Sequence, residues 1–392
     1  MRILKLAPME WVNATRDKRE LSVYRELGAD VLVMAKDNAN NSCKKDCVDG
    51  FNVLLFSTRP LGENIPKSIN RIISIFTWAY NARKLNASII SGHDLIGLTI
   101  GYLSNFGRRK KHRAKLIYDS HEFELGRATE RSKLQLCLIK RLERFLIKRC
   151  EFVIMVNDSI ADEVQKIHRL EQRPIVVRNI PNFWKLDKEK IVETRSDICN
   201  ALGIPKDTFL VMYHGEVTPK RNVETLIDAV SRNKHIAGII LGNASSEEYI
   251  EQLKKRTKDI GISNRVYFHS AVPIEELYRY VGAADVGTVF LSAHYRNEYL
   301  SLPNKFFENI QSMTPIITFE FPEMKRIIQQ YGIGLTVEIN NEDEIDVCIE
   351  RMRTDKIIYN QCKKNLELAK RELCWENEKQ VLINTFIGVI DK

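Results

Sequence analysis

Short apolar runs alternate with amphipathic stretches along almost the whole chain. In the first half, residues 3–7, 30–35, 53–57, 88–91, 115–118, 152–156 and 175–177 have the length and composition of strands. Helical patterns lie between them over 16–27, 65–85 and 132–150. In the second half, strands over 209–213, 236–241, 265–268, 286–290 and 315–319 alternate with helices again. Val223, Leu226, Ile227 and Val230 fall at i, i+3, i+4 and i+7, one apolar stripe of a helix. Ser245 with Glu248 three residues later reads as a capping box for the next helix. Such alternation predicts an α/β fold built of parallel sheets with helices on both faces.

Two polar residues and a proline in Arg178, Asn179, Ile180, Pro181, Asn182 and Phe183 close one alternating series before another opens. The pattern therefore predicts two doubly wound, Rossmann-like domains, over 1–182 and 183–370, facing a cleft. The remainder, 371–392, contains an amphipathic helix with Val381, Leu382, Thr385, Phe386 and Val389 on one face, expected to pack back on the first domain. Ligands of doubly wound sheets bind beyond the carboxyl ends of the strands, so both domains should present loops to the cleft.

A length of 392 residues fits two domains, and 44% hydrophobic with 28% charged residues is a globular composition. No apolar run reaches the roughly 18 residues of a membrane span. The apolar start is shorter than the ~7–15 residues of a secretory signal core, so a cytoplasmic location is expected. Eight scattered cysteines fit a reducing compartment. Cys43 and Cys47 are half of a zinc-ligand spacing without a second half, so free thiols and no metal are expected. The formal charge of +9 points to an anionic partner: phosphate, nucleic acid or membrane. Residues 108–115 (Arg108, Arg109, Lys110, Lys111, His112, Arg113, Ala114, Lys115) and the helical set Lys140, Arg144 and Lys148 are dense enough to meet anionic lipid headgroups. A solvated charge run describes them equally well. Nucleic acid is disfavoured, since the run lacks interleaved aromatics and no DNA-binding motif accompanies it.

One constellation carries a resemblance. Tyr213-His214-Gly215, Pro219-Lys220-Arg221, Ala283-Ala284-Asp285-Val286-Gly287 and Ser301-Leu302-Pro303-Asn304-Lys305-Phe306-Phe307-Glu308 follow one another in the second half. Phe321-Pro322-Glu323-Met324 and Gly332-Ile333-Gly334-Leu335 come next. In this order they resemble the nucleotide-sugar domain of GT-B glycosyltransferases, especially the retaining enzymes of glycosyltransferase family 4. Asn13, Asp17-Lys18-Arg19, His93-Asp94 and Asp119-Ser120-His121-Glu122 extend a looser match into the first half.

The resemblance implies an acceptor-side first domain and a nucleotide-sugar-binding second domain, with a UDP- or GDP-sugar as donor and a glycan or lipid-linked acceptor. It implies retention of configuration and no metal or other cofactor. Gly215, Arg221, Ser301, Leu302, Pro303, Asn304 and Lys305 would hold the donor's phosphates, Glu308 the ribose hydroxyls, and His121, Arg221 and Lys305 would act in catalysis. The residue chemistry agrees: a departing phosphate gathers charge that fixed cations and helix N-terminal N–H groups can meet, and an arginine fork suits two phosphate oxygens. His93 or His121 can contact the donor sugar or the acceptor, although a lone histidine is more often structural. Asn13, Arg16 and Asp17 lie where related sequences meet the acceptor. The chain departs from the family at Leu300, where a second Glu is usual and Glu298 stands close by, and at Glu216, where Arg is usual. Two other readings share the architecture: a nucleotide-sugar epimerase and a non-catalytic nucleotide-sugar-binding partner subunit.

Overall fold

Hydrophobic strands bring their buried faces together in two separate parallel sheets. The computed structural model describes residues 1–37, 44–127, 131–339 and 341–390. The chain divides into unit 1, Met1–Asn179 with Glu378–Lys392, and unit 2, Ile180–Asn377.

In unit 1 the strands are β1 (Arg2–Glu10), β2 (Asp30–Asp37), β3 (Lys44–Val48), β4 (Phe51–Ser57), β5 (Ile89–His93), β6 (Lys115–Asp119), β7 (Phe152–Met155) and β8 (Ile175–Val176). Helices α1 (Thr15–Glu26), α2 (Lys67–Lys84), α3 (Asp94–Asn105), α4 (Lys133–Ile147) and α5 (Asp158–His168) connect them. The sheet order is β3-β4-β2-β1-β5-β6-β7-β8. All pairs are parallel except β3 with β4. Strand order reverses between β1 and β5, which puts the carboxyl ends of these strands at a topological switch point.

The first strand is longer than the 3–7 expected, since β1 continues to Glu10 before a 3-10 turn over Trp11–Asn13. Strand β3 has no apolar alternation because it is an exposed edge; its hairpin with β4 turns at Asp49 and Gly50, both with positive φ. Of the two cysteines read as half a zinc site, Cys47 is an exposed free thiol and Cys43 lies outside the described residues.

Unit 2 runs α6 (Lys188–Leu202), β9 (Phe209–His214), α7 (Val223–Arg232), β10 (Ile236–Leu241), α8 (Glu247–Asp259), β11 (Val266–His269), α9 (Ile274–Ala283) and β12 (Val286–Val289). It continues with α10 (Arg296–Tyr299), α11 (Asn304–Gln311), β13 (Ile316–Phe319), α12 (Pro322–Tyr331), β14 (Gly334–Val337), α13 (Glu342–Thr354) and α14 (Lys356–Glu372). The six strands are ordered β11-β10-β9-β12-β13-β14, all parallel, the doubly wound order with its switch point between β9 and β12. Apolar side chains fill both faces of this sheet, with Val211, Tyr213 and Ile240 on one and Leu210, Met212 and Ile239 on the other. Continuous burial of this kind explains why β9 and β10 read as unbroken apolar runs. The cap of α8 is Ser246, which accepts the Tyr249 N–H, rather than Ser245, whose N–H is bonded to the Val217 carbonyl.

The last helix, α15 (Trp375–Ile390), starts in unit 2 and from Glu378 onward belongs to unit 1. There Phe386 packs on Tyr24 with ring centroids 4.4 Å apart, and Glu378 pairs with Arg178 at 3.2 Å.

Candidate functional site

In unit 2 the residues of interest gather where β9 ends at the switch point. Gly215, with φ +113°, and Gly242 let the loops after β9 and β10 touch: a Cβ on Gly242 would stand 1.8 Å from the Gly215 carbonyl oxygen. Across this turn begins α11, whose N-cap is Pro303 with no side-chain capping bond. Its first turn therefore has no side-chain cap, and the helix dipole puts a positive end there.

Lys305, at the second position of α11, is buried, and its Nζ has no hydrogen-bond partner. The ammonium lies 3.9 Å from the centroid of the Tyr213 ring, and its Cε and Nζ stand about as close as ordinary contact to the space beside Gly215. Burial and the neighbouring Arg221 charge lower its pKa to about 7, against the opposing pull of Glu308 and Glu216. A cation in this state is short of one negative partner. Arg221 closes the half-turn Pro219–Arg221 ahead of α7.

Glu308 lies one turn further along α11 and accepts a hydrogen bond from the buried His214 imidazole, Nε2 to Oε2 3.0 Å. His214 Nδ1 has no partner. Sequence reasoning gave His214 no role; its place as the last residue of β9 beside Gly215 was the available signal. The carboxylate of Glu298 accepts the Tyr295 N–H at 3.1 Å, and its carbonyl accepts the Ser301 hydroxyl at 2.7 Å. Glu298 thus shapes the α10 turn that leads to Ser301 and Leu302, while Leu300 is buried. Glu216 accepts the Tyr213 hydroxyl through its carbonyl, and its side chain is exposed.

In unit 1 a second constellation sits at the β1/β5 switch point. Lys5, fully buried in the middle of β1, donates to Glu20 at 2.5 Å and Asp119 at 2.8 Å and lies 2.8 Å from Asp17. Arg16 reaches Asp119 at 3.0 Å and the Val177 carbonyl at 2.6 Å. His93 bonds Asp17 through Nδ1 at 2.9 Å, His121 bonds Asp119 through Nε2 at 2.9 Å, and the two imidazoles lie with ring centroids 3.8 Å apart, tilted by 40°. Burial opposes every charge in this cluster. The carboxylates nevertheless push Lys5 well above its ordinary value, and Lys5 with its neighbours holds Asp17 and Asp119 well below theirs. Burial likewise disfavours the His121 cation, but Asp119 and Asp17 overcome it and raise the pKa to about 9, so His121 is an imidazolium at neutral pH.

Asp17, His93 and His121 place three ligand atoms within 4.8 Å of one another, as do Asp17, Glu20 and Asp119. In the second set the cation held by the carboxylates is the Lys5 ammonium. The structure thus brings Arg16, Asp17, His93 and His121 into one network, while the Asn13 side chain lies outside what is described. Lys5 and Glu20 were missed as network members, while Asp119 was read only within the Asp119-Ser120-His121-Glu122 motif; a lysine among the apolar residues of a central strand was the signal.

Residues 194–368 match the family model of glycosyl transferases group 1. An uncharacterized glycosyltransferase of Methanocaldococcus jannaschii is 23% identical over 314 residues, 78% of this chain and 77% of the relative. Mannosylglucosylglycerate synthase of Petrotoga mobilis is 20% identical over 281 residues, 64% and 62% of the two chains. Among solved structures, Anabaena HepE in complex with UDP superposes with a TM-score of 0.75 at 16% identity, covering 99% of this chain and 100% of HepE. Sucrose-phosphate synthase of Thermosynechococcus elongatus gives 0.73 at 15% identity over the full length of both. The chain has the GT-B fold of these proteins. The stretch that matches the glycosyl transferases group 1 model lies within its second unit.

Proposed function

We propose that the protein is a glycosyltransferase that moves a sugar from a UDP- or GDP-sugar to a glycan or lipid-linked acceptor, metal-free and with retention, in surface polysaccharide or glycoconjugate synthesis at the cytoplasmic side of a membrane. The observation that carries this reading is Lys305: a buried ammonium without a partner, beside Gly215 and the open N-terminus of α11, with the Arg221 charge close enough to depress it. An anionic diphosphate supplies what this arrangement lacks. That HepE has been crystallised with UDP and with UDP-glucose supports the choice of donor class.

In this reading the diphosphate rests against the α11 N-terminus, Lys305 and Arg221, and Glu308 accepts the ribose hydroxyls while His214 fixes the carboxylate's orientation. The acceptor oxygen bonds to the anomeric carbon as the bond from that carbon to the phosphate oxygen breaks. The electron pair leaves on the phosphate, where Lys305, Arg221 and the helix end stabilise it. Attack on the face of the departing phosphate lets that phosphate take the acceptor proton and retains configuration. In unit 1 the His121 imidazolium, held in place by Asp17 and Asp119, offers a charged N–H donor to an acceptor bound at that unit.

Thermal shift against UDP, GDP and their sugars tests the binding step, because a ligand that binds only the folded chain raises its melting point. Glu308→Ala should weaken nucleotide binding about tenfold, the loss of one or two charge-assisted hydrogen bonds. Arg221→Ala should lower turnover about a hundredfold with a smaller effect on binding. Unchanged behaviour of both variants would remove these assignments. The apolar Leu300 in place of the second family Glu favours one other reading, a nucleotide-sugar-binding subunit. Binding without release of nucleotide, across a panel of acceptors, would identify it; a changed sugar still joined to its nucleotide would identify an epimerase.

A further inference from the structure

Two helices of unit 1 turn apolar side chains outward. On α2 these are Ile69, Ile72, Phe76 and Tyr80, spaced to form one stripe, and on α4 they are Leu134, Leu138, Leu142 and Phe145. Their exposure runs from 39% at Phe145 to 70% at Leu134. The inner faces of the same helices hold the expected core residues, Trp78 and Ala82 on α2 and Leu146 and Ile147 on α4. Each helix is thus apolar on both sides, more than packing on the sheet requires. Helix α3 joins the two stripes, since it packs on α2 and its Tyr102 meets Phe145 edge-on at 5.3 Å. Phe106, just beyond α3, is exposed as well.

The charges around these stripes have one sign. Helix α2 carries Lys67, Arg71, Arg83 and Lys84, all exposed, and no acidic residue. Helix α4 exposes Lys133, Lys140 and Arg141, followed by Lys148 and Arg149. Its one acid, Glu143, is buried, bonded to Tyr118 and His168 at 3.0 Å each. Not every basic residue expected at such a surface is available to it. Arg144 turns inward to the Ile167 carbonyl, Arg108 is bonded to Asn86 and to backbone carbonyls, and Lys115 donates to the Val389 carbonyl. The exposed Arg83 and Arg149 donate to the Phe106 and Phe145 carbonyls, which leaves Lys67, Arg71, Lys84, Lys133, Lys140, Arg141 and Lys148 as the charges of this face.

We infer that the outward faces of α2 and α4 dock in the plane of an anionic lipid surface, their apolar stripes entering the headgroup boundary and their Lys and Arg residues meeting lipid phosphates. An apolar stripe flanked by basic residues is the pattern of an interfacial helix, and no helix among the described residues is long and apolar enough to cross the membrane. A second copy of the chain is a poor occupant, because pairing this face with itself would set like charges against each other. The inference deepens the lipid-linked acceptor reading but stands without it, as the contact makes no use of the nucleotide site.

The test is flotation of the full chain with vesicles of phosphatidylcholine and phosphatidylglycerol, against phosphatidylcholine alone, without nucleotide. The chain should float with the anionic vesicles only. Replacing Lys140 and Arg141 by Ala should weaken partition about fivefold for each charge removed. The double variant F76S/L138S should lose retention at high salt with an unchanged melting point. Should that variant fail to fold, I72S/L134S reads the same face. Absence of flotation with anionic vesicles would overturn the inference, as would full retention by the folded apolar variants. So would sedimentation velocity showing a dimer that F76S/L138S dissolves, which would make the face a contact between copies. UDP- and GDP-dependent thermal shifts of the same preparations report separately on the nucleotide site.

Discussion

Lys305 concentrates the residue-level argument. Its ordinary pKa of 10.5 falls to about 7 in the folded chain. Between those values the unfolded chain holds a proton that the folded chain has lost, so stability rises with pH from about 7 and is reduced as pH falls. A bound diphosphate reverses the balance, because it favours the ammonium. Binding of UDP or GDP near about pH 8 should then take up close to one proton, visible in titration calorimetry as a dependence on the buffer's ionisation heat. Lys305→Met should abolish the uptake and weaken binding about tenfold. Equal uptake by both proteins would refute this role.

Lys5 makes the complementary case. Its replacement by Met leaves Asp17, Glu20 and Asp119 buried without their shared cation and should cost ~3–5 kcal/mol, read by denaturant unfolding. The loss should shrink in acid, where the carboxylates protonate. Lys305 and Glu308 were legible because they stand at fixed positions in a motif before and within one helix. The Lys5 network was not, since its members come from β1, α1 and β6 and only the folded sheet brings them together.

At the scale of elements, the site depends on how closely two loops approach. Gly242 meets the Gly215 carbonyl, a backbone atom with no freedom to rotate away. Gly242→Ala should therefore cost about 3 kcal/mol and shift Gly215 against Lys305, lowering the melting point and nucleotide affinity together. A loss of stability with unchanged affinity would separate the loop from the site. Central strands such as β9, β10 and β13 were readable as apolar runs because both of their faces are buried. Strand β3 was not, because an edge strand facing solvent has no apolar side, and its Asp-Gly turn was the one readable trace. Helices α2 and α4 read as ordinary amphipathic segments, yet periodicity alone does not show which apolar residues point inward. Only burial distinguishes Leu146 from Leu138.

At the scale of the molecule, the chain leaves unit 1 at Asn179 and returns to it at Glu378. The returning helix contributes Phe386 to the Tyr24 contact, Glu378 to Arg178 and Lys379 to Glu26. A chain ending at Asn377 should expose that part of unit 1 to limited proteolysis while unit 2 stays resistant; equal resistance of both would show that the helix is dispensable. The same arrangement orders events on the ribosome. The amino-terminal lobe is started before the other, but its closing helix is made only after the whole of the other lobe, so the lobe that starts later can finish packing earlier. Nascent chains held on the ribosome by an unstructured extension after Asn377, long enough to clear the exit tunnel, should already hold a protected carboxy-terminal lobe, with the amino-terminal one completed only when residues 378–390 follow.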